Sequence, residues 1–207
     1  MLGVPALPDR GPGMKLLHID SSASRSESAS RELTAAIVAR WCEQHPDGRV
    51  IRLDLDADPL PHLTAATLVN QSSAEAARAE SALAEFLAAE ILVIGVPMYN
   101  FSIPSTLKAW IDRISVPGRT FSYSASGITG LAGGKRVIVV LSTGGFYAAD
   151  VPGDFVEPYL RFMFGFLGIQ DVHFVRAEGL SISVDHRAQG LAAAYAALSD
   201  VPPFRTP

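Results

Sequence analysis

Ile91-Leu92-Val93-Ile94-Gly95-Val96, followed at once by Pro97-Met98-Tyr99-Asn100-Phe101, decides the fold of this 207-residue chain. A short run that is apolar at every position fits a strand covered on both faces, the situation of a central strand in a parallel sheet. Parallel neighbours must be joined by crossovers, usually helices. The flanking sequence supplies them. Ala-rich Ala74 to Ala89 precedes the run, and Pro104, suited to the first position of a helix, opens a helical segment reaching about Ile114.

The same alternation continues in both directions. Lys15 to Asp20 reads as a first strand, and Ser28 to Gln44 as a helix with Leu33, Ile37, Val38 and Trp41 at helical spacing, ended by Gly48. Arg49 to Leu55 alternates apolar and charged residues, as a strand nearer an edge does. Arg136 to Leu141 is a second central strand. Helix Phe155 to Leu167, strand Val172 to Ala177 and helix Asp185 to Leu198 then complete five β-α units. This predicts an α/β fold, a doubly wound five-stranded parallel sheet with helices on both faces, built as one domain over residues 14–207. The Pro- and Gly-rich stretch 1–13 is expected to be a disordered extension, or the product of a start codon upstream of Met14. Asp56 to Ser73 reads as a long loop bordering the site, and Thr120 to Gly134 as a hairpin or excursion off the sheet.

Composition excludes several classes. With 48% hydrophobic and 18% charged residues the chain is globular, and a net charge of -4 gives no reason to expect nucleic acid or a membrane surface as partner. No run has the length to cross a bilayer, and residues 1–13 lack the apolar core of a signal peptide. The single cysteine, Cys42, cannot close an intrachain disulfide. A reducing, cytoplasmic compartment is therefore expected, with Cys42 as a small buried residue beside Trp41. His18 lies mid-strand and reads as a core residue. His45, His62, His173 and His186 lack metal-ligand spacing, so no metal is expected. The chain has no G-x-G-x-x-G and no G-x-S-x-G. Gly133-Gly134-Lys135-Arg136 lacks the hydroxyl residue and spacing of a nucleotide-binding P-loop, and precedes a strand instead of following one.

In an open parallel sheet, ligands bind at the carboxyl ends of the strands, beside the point where strand order reverses. Three loops there have unusual composition. Ser21 to Ser30 holds six serines and leads into a helix, whose first N–H groups carry partial positive charge. Phosphate binding and simple helix capping by Ser28 or Ser30 are both open, and Glu27 adds opposing charge. Pro97 to Pro104 places three large side chains at the sheet mouth, to cover a flat ligand or to pack on neighbouring helices. Ser142-Thr143-Gly144-Gly145-Phe146-Tyr147 has adjacent glycines, which suit positive φ and close approach to a ligand, or an ordinary tight turn. Together the loops describe a phosphate pocket at one end and a planar ring at the other.

Ser21-Ser22 with Ser28-x-Ser30, then PMYNFSIPSTLKAWIDR, GRTFSY, GLAGGKR and STGGFY, resembles the FMN-dependent NADH:azoreductase family, flavodoxin-like enzymes also known as quinone reductases. The resemblance runs from about Met14 to the end of the chain. It implies a homodimer with one FMN per subunit and NADH or NADPH as co-substrate. Phosphate would be held by Ser22, Ser28, Ala29 and Ser30, and the isoalloxazine by Met98, Tyr99, Asn100 and Phe101. Ser142, Thr143, Gly144 and Gly145 would meet its pyrimidine end. Family members often carry Arg at the position of Thr143, so backbone contacts carry the implied role there. Tyr123 and Phe164 match positions on the substrate side. The implied reaction is ping-pong two-electron reduction of quinones or azo compounds by NAD(P)H, with the chemistry on the flavin and no side chain assigned as acid or base. The alternative is a flavodoxin-like electron carrier without a small-molecule substrate of its own.

Overall fold

Residue-by-residue pairing places Ile94 between Ile19 and Val139, with all three strands parallel. The structure, a computed structural model, describes residues 13–65, 74–125, 127–147, 153–202 and 204. Its elements in chain order are β1 Lys15–Asp20, α1 Ala29–Gln44, β2 Arg49–Asp54, α2 Ala74–Ala88, β3 Ile91–Pro97, α3 Ser105–Ile114, β4 Phe121–Ser124, β5 Gly127–Gly130, β6 Arg136–Ser142, α4 Val156–Phe166, β7 Asp171–Ala177 and α5 Val184–Ala197. The main sheet has the order β2-β1-β3-β6-β7, so the expected five-stranded parallel sheet is present and β2 lies at an edge. Strand order reverses between β1 and β3.

The pleat divides the core into two layers. Leu17, Ile19, Leu92, Ile94, Val96, Val137, Val139 and Leu141 face one side, where Phe86 of α2, Trp110 of α3 and Leu160 of α4 cover them. Leu16, Ile91, Val93, Ile138 and Val140 face the other, under Leu33, Ile37 and Trp41 of α1 and Ala194 of α5. Every residue of β3 is buried, which is why its sequence lacks alternation. Each fully buried Leu, Ile or Val in these layers is worth about 1.5–3 kcal/mol relative to exposure.

Local chemistry sets the boundaries. Ser28 caps α1, its Oγ accepting from Arg31 N–H at 3.3 Å. That helix stops at Gln44, as expected, and Pro46 contributes to the stop because it disfavours helical backbone at the preceding residue. Trp41 points inward, so Cys42 is turned outward and is exposed, contrary to expectation. Lys135 has a structural explanation. Its buried ammonium donates to Leu87 O at 2.8 Å and Ala89 O at 2.6 Å, closing the carboxyl end of α2.

The aromatic, Gly-rich segment forms the antiparallel hairpin β4–β5 off the main sheet, as expected. A Cβ at Gly130 would stand 2.1 Å from Gly168 N, so the hairpin crosses the turn after α4 backbone to backbone. Of the long loop at 56–73, residues 66–73 lie outside the described residues, as do 1–12 of the expected N-terminal extension. Among the described residues no helix is long and apolar enough to cross a membrane, and no group of three or more His, Cys, Asp or Glu could hold a metal ion.

Candidate functional site

The loops after β1, β3 and β6 meet in a groove of about 210 Å³ at the carboxyl ends of the strands. It is lined by Ser22, Ser28 and Ala29 from the first loop, Pro97, Met98 and Tyr99 from the second, and Ser142, Thr143 and Gly144 from the third. A larger cavity of about 270 Å³ lies between β2 and α2, away from the strand-order switch.

The serine loop is built on a buried charge network. Asp20, at the end of β1, lies 3.3 Å from His18 Nε2, 3.0 Å from Arg52 Nη2 and 3.5 Å from Arg31 Nη1, and accepts from Thr34 Oγ1 at 3.1 Å. Burial alone pushes the Asp20 carboxyl up, but His18, Arg52 and Thr34 outweigh it and hold it below the usual range. Arg31 grips Asp54 through both terminal nitrogens, at 2.7 Å each, and its Nη2 also donates to Ser22 O at 2.8 Å. One guanidinium thus fixes both the end of β2 and the start of the serine loop.

Arg31, opposed by burial and helped by the Ala57 amide, holds Asp54 down at about 2, against an ordinary value of 3.8. Because the folded value is depressed, the stabilisation is complete above about pH 4 and is lost as pH falls toward 2. After screening at a carboxylate that is 28% exposed, it is on the order of 1–2 kcal/mol. Urea midpoints measured from pH 5 down to pH 2 should fall steeply in the wild type and less steeply in Asp54→Asn.

Ser28 does serve as a cap, yet capping accounts for only one of the orphan amides of the first turn. Ser30 is fully buried, with its Oγ 3.1 Å from Ser28 Oγ. Tyr99 links this end to the next. Its hydroxyl accepts from Ala23 N–H at 3.1 Å and lies 3.3 Å from Ser22 Oγ.

The second loop turns on itself between Tyr99 and Ser102, which exchange backbone hydrogen bonds of 2.9 and 3.0 Å. Its central residues, Asn100 and Phe101, both have positive φ, 49° and 66°. Two left-handed residues are what a type I′ turn demands. Asn tolerates this, whereas Phe is strained, and such strain gathers at ligand clamps. Phe101 is exposed and meets Tyr147 edge to face, while Met98 packs in part against the core. Met98 thus both packs on the core and lines the groove, whereas Asn100 and Phe101 lie outside its lining.

The third loop departs from expectation in detail. Neither Gly144 nor Gly145 is left-handed. A Cβ at Gly144 would stand 2.9 Å from Ser181 Oγ, so the loop packs closely against Ser181 there. Thr143 is buried and turns its Oγ1 onto Gly145 O at 2.8 Å, so it addresses its own loop. Behind it, Arg176 on β7 donates to Asp154 at 2.8 Å, Glu157 at 2.7 Å, Glu178 at 3.0 Å and Tyr147 O at 3.0 Å. Burial pulls the Arg176 guanidinium down, but Asp154 and Glu178 more than reverse this.

Two expected substrate-side residues fare differently. Tyr123 is exposed on β4 but does not line this groove in the single chain. Phe164 is only 1% exposed and packs inside the core one helical turn from Leu160, so it faces no substrate. Phe162, on the opposite side of α4, is 70% exposed. Sequence reasoning missed Ser24, Leu180, Ser181 and Arg187, which also line the groove. The last three follow β7, whose loop had no unusual composition to draw notice.

A doubly wound sheet of this order, with its groove at the switch point, defines a nucleotide-binding α/β protein of the flavodoxin type. The chain belongs to the family described as having a flavodoxin-like fold, whose model matches residues 14–201. It is 59% identical over 187 residues to a protein of Xanthomonas axonopodis pv. citri named FMN-dependent NADH:quinone oxidoreductase 1, covering 90% of this chain and 96% of that one. A Stenotrophomonas maltophilia protein named FMN-dependent NADH:quinone oxidoreductase is 55% identical over 185 residues, covering 89% and 94%. Among solved structures, an azoreductase from Bacillus anthracis str. Sterne superposes with a TM-score of 0.81 at 27% identity, over 92% of this chain and all of that one. An FMN-dependent NADH-azoreductase from Bacillus anthracis str. Ames Ancestor, solved in complex with FMN, gives 0.79 at 26%, over 90% and 98%.

Proposed function

We propose that this chain is an FMN-dependent oxidoreductase that reduces quinones and azo compounds with NADH, working as a homodimer in the cytoplasm. The observation that carries the reading is the convergence of three loops on one groove with two chemically distinct ends. Hydroxyls of Ser22, Ser28 and Ser30, with the amides of Ala29 and Ser30 at the amino end of α1, suit the phosphate. The strained turn at Asn100 and Phe101, flanked by Met98 and Tyr99, suits the flat ring system. Ser142, Thr143, Gly144 and Gly145 present backbone to its polar edge. The names of the relatives, at 59% and 55% identity, support the same cofactor and co-substrate.

FMN, when bound, supplies the two-electron chemistry between nicotinamide and acceptor. The protein's part is to anchor the phosphate, seat the ring and leave one ring face open to both substrates in turn. The groove's lining offers serines, a threonine, Glu27 and Arg187 beside its apolar residues, and the proposed reaction assigns none of them a proton-transfer role.

The homodimer rests on a separate observation. Tyr123, Ile128 and Leu131 on and beside the hairpin, with Phe155 and Phe162 at α4, leave large apolar side chains exposed on neighbouring elements. Such a patch marks a partner surface, and a second copy of the chain is the partner proposed for it.

Steady-state oxidation of NADH by the FMN-loaded protein, with menadione and methyl red as acceptors, tests the reading. Turnover with parallel double-reciprocal lines is expected. FMN that stays bound while neither acceptor is reduced would instead identify an electron carrier.

A further inference from the structure

Arg187 is the one cation among the described residues that line the groove. It sits in the first turn of α5, where Ser183 caps the helix and Arg187 N–H donates to Ser183 O at 2.9 Å. From there its Nη2 reaches the serine loop and donates to Glu27 O at 2.9 Å, across 160 positions of sequence. The segment leading into this turn is laced to the third loop, Leu180 N–H donating to Thr143 O at 3.1 Å and Ser181 N–H to Gly144 O at 3.0 Å. The guanidinium is therefore carried on fixed backbone to the rim of the phosphate end, in a groove that Glu27 also lines.

A guanidinium has five N–H donors, and the contact with Glu27 O uses one. We infer that Arg187 is a specificity residue of the phosphate end: it recognises the anionic terminus of the flavin and makes the groove prefer FMN to riboflavin. This inference rests on the proposal that the groove holds FMN. Serine hydroxyls and helix amides bind a phosphate without full charge, whereas Arg187 adds a charge-assisted interaction that only the phosphorylated flavin can return. It also offsets Glu27, whose carboxylate would otherwise work against an anion at this site.

Flavin titrations of the wild type, Arg187→Ala and Arg187→Lys with FMN and with riboflavin, followed by quenching of flavin fluorescence at two salt concentrations, test this. The wild type should prefer FMN. Arg187→Ala should lose about tenfold or more in FMN affinity while riboflavin affinity changes less than about twofold, and the salt dependence of FMN binding should shrink. Arg187→Lys should recover part of the preference. Unchanged riboflavin binding doubles as the control for folding. Equal losses for both flavins would reduce Arg187 to a brace for residue 27 and overturn the assignment, as would no loss for either. A wild-type protein that binds neither flavin would overturn the reading of the groove, and this assignment with it.

Discussion

Ser28→Asp should leave α1 as stable as before and cost at least a hundredfold in FMN affinity. Asp is as good an N-cap as Ser, and its charge suits the amino end of a helix, so the capping bond to Arg31 N–H survives in kind. The same carboxylate stands in the groove that Ser28 lines, where the phosphate is proposed to lie. Two like charges about 4 Å apart near a protein surface repel by about 4 kcal/mol, more than the roughly 2.7 kcal/mol that a hundredfold represents. The thermal midpoint and flavin content of the purified variant check both halves. An unchanged midpoint with unchanged flavin content would make Ser28 a cap and nothing more.

Arg176→Ala should destabilise the protein by about 3 kcal/mol, the scale for removing one member of a largely buried charge network. The substitution leaves Asp154 and Glu178 without their shared cation and Glu157 with Arg161 alone. It also releases Tyr147, whose carbonyl is held by Arg176 and whose N–H is held by Glu178 at 3.1 Å. Asp154 further caps α4 through Val156 and Glu157 N–H, so the damage extends to that helix. Urea unfolding at pH 7 measures the loss. A change below about 0.5 kcal/mol would show that the network is a solvated surface cluster.

The frame of the molecule was legible because parallel strands buried on both faces leave unbroken apolar runs, as in Ile91 to Val96 and Arg136 to Leu141. The three loops were legible through composition, since serines, bracketing prolines and paired glycines each restrict what a loop can do. Helical phase was read less well. Cys42 and Phe164 were misplaced because each has a bulky neighbour, Trp41 or Phe162, and which of the two faces inward depends on where the helix sits on the sheet. Long-range partners left no local trace. Arg187 meets Glu27, and Arg176 reaches Asp154 and Glu157 at the start of α4, through contacts that exist only once the sheet has closed. The left-handed turn at Asn100 and Phe101 was equally hidden, because nothing in a Phe announces positive φ.

The crossing of Gly130 over Gly168 bears on how the proposed dimer opens. With no room for a side chain between the two backbones, the hairpin cannot swing independently of the body that carries it. Tyr123 then rides on a strut instead of a flap. In the proposed dimer, a second copy seated on this face would meet a fixed edge, so the spacing between subunits would follow from how they dock and not from bending of the hairpin.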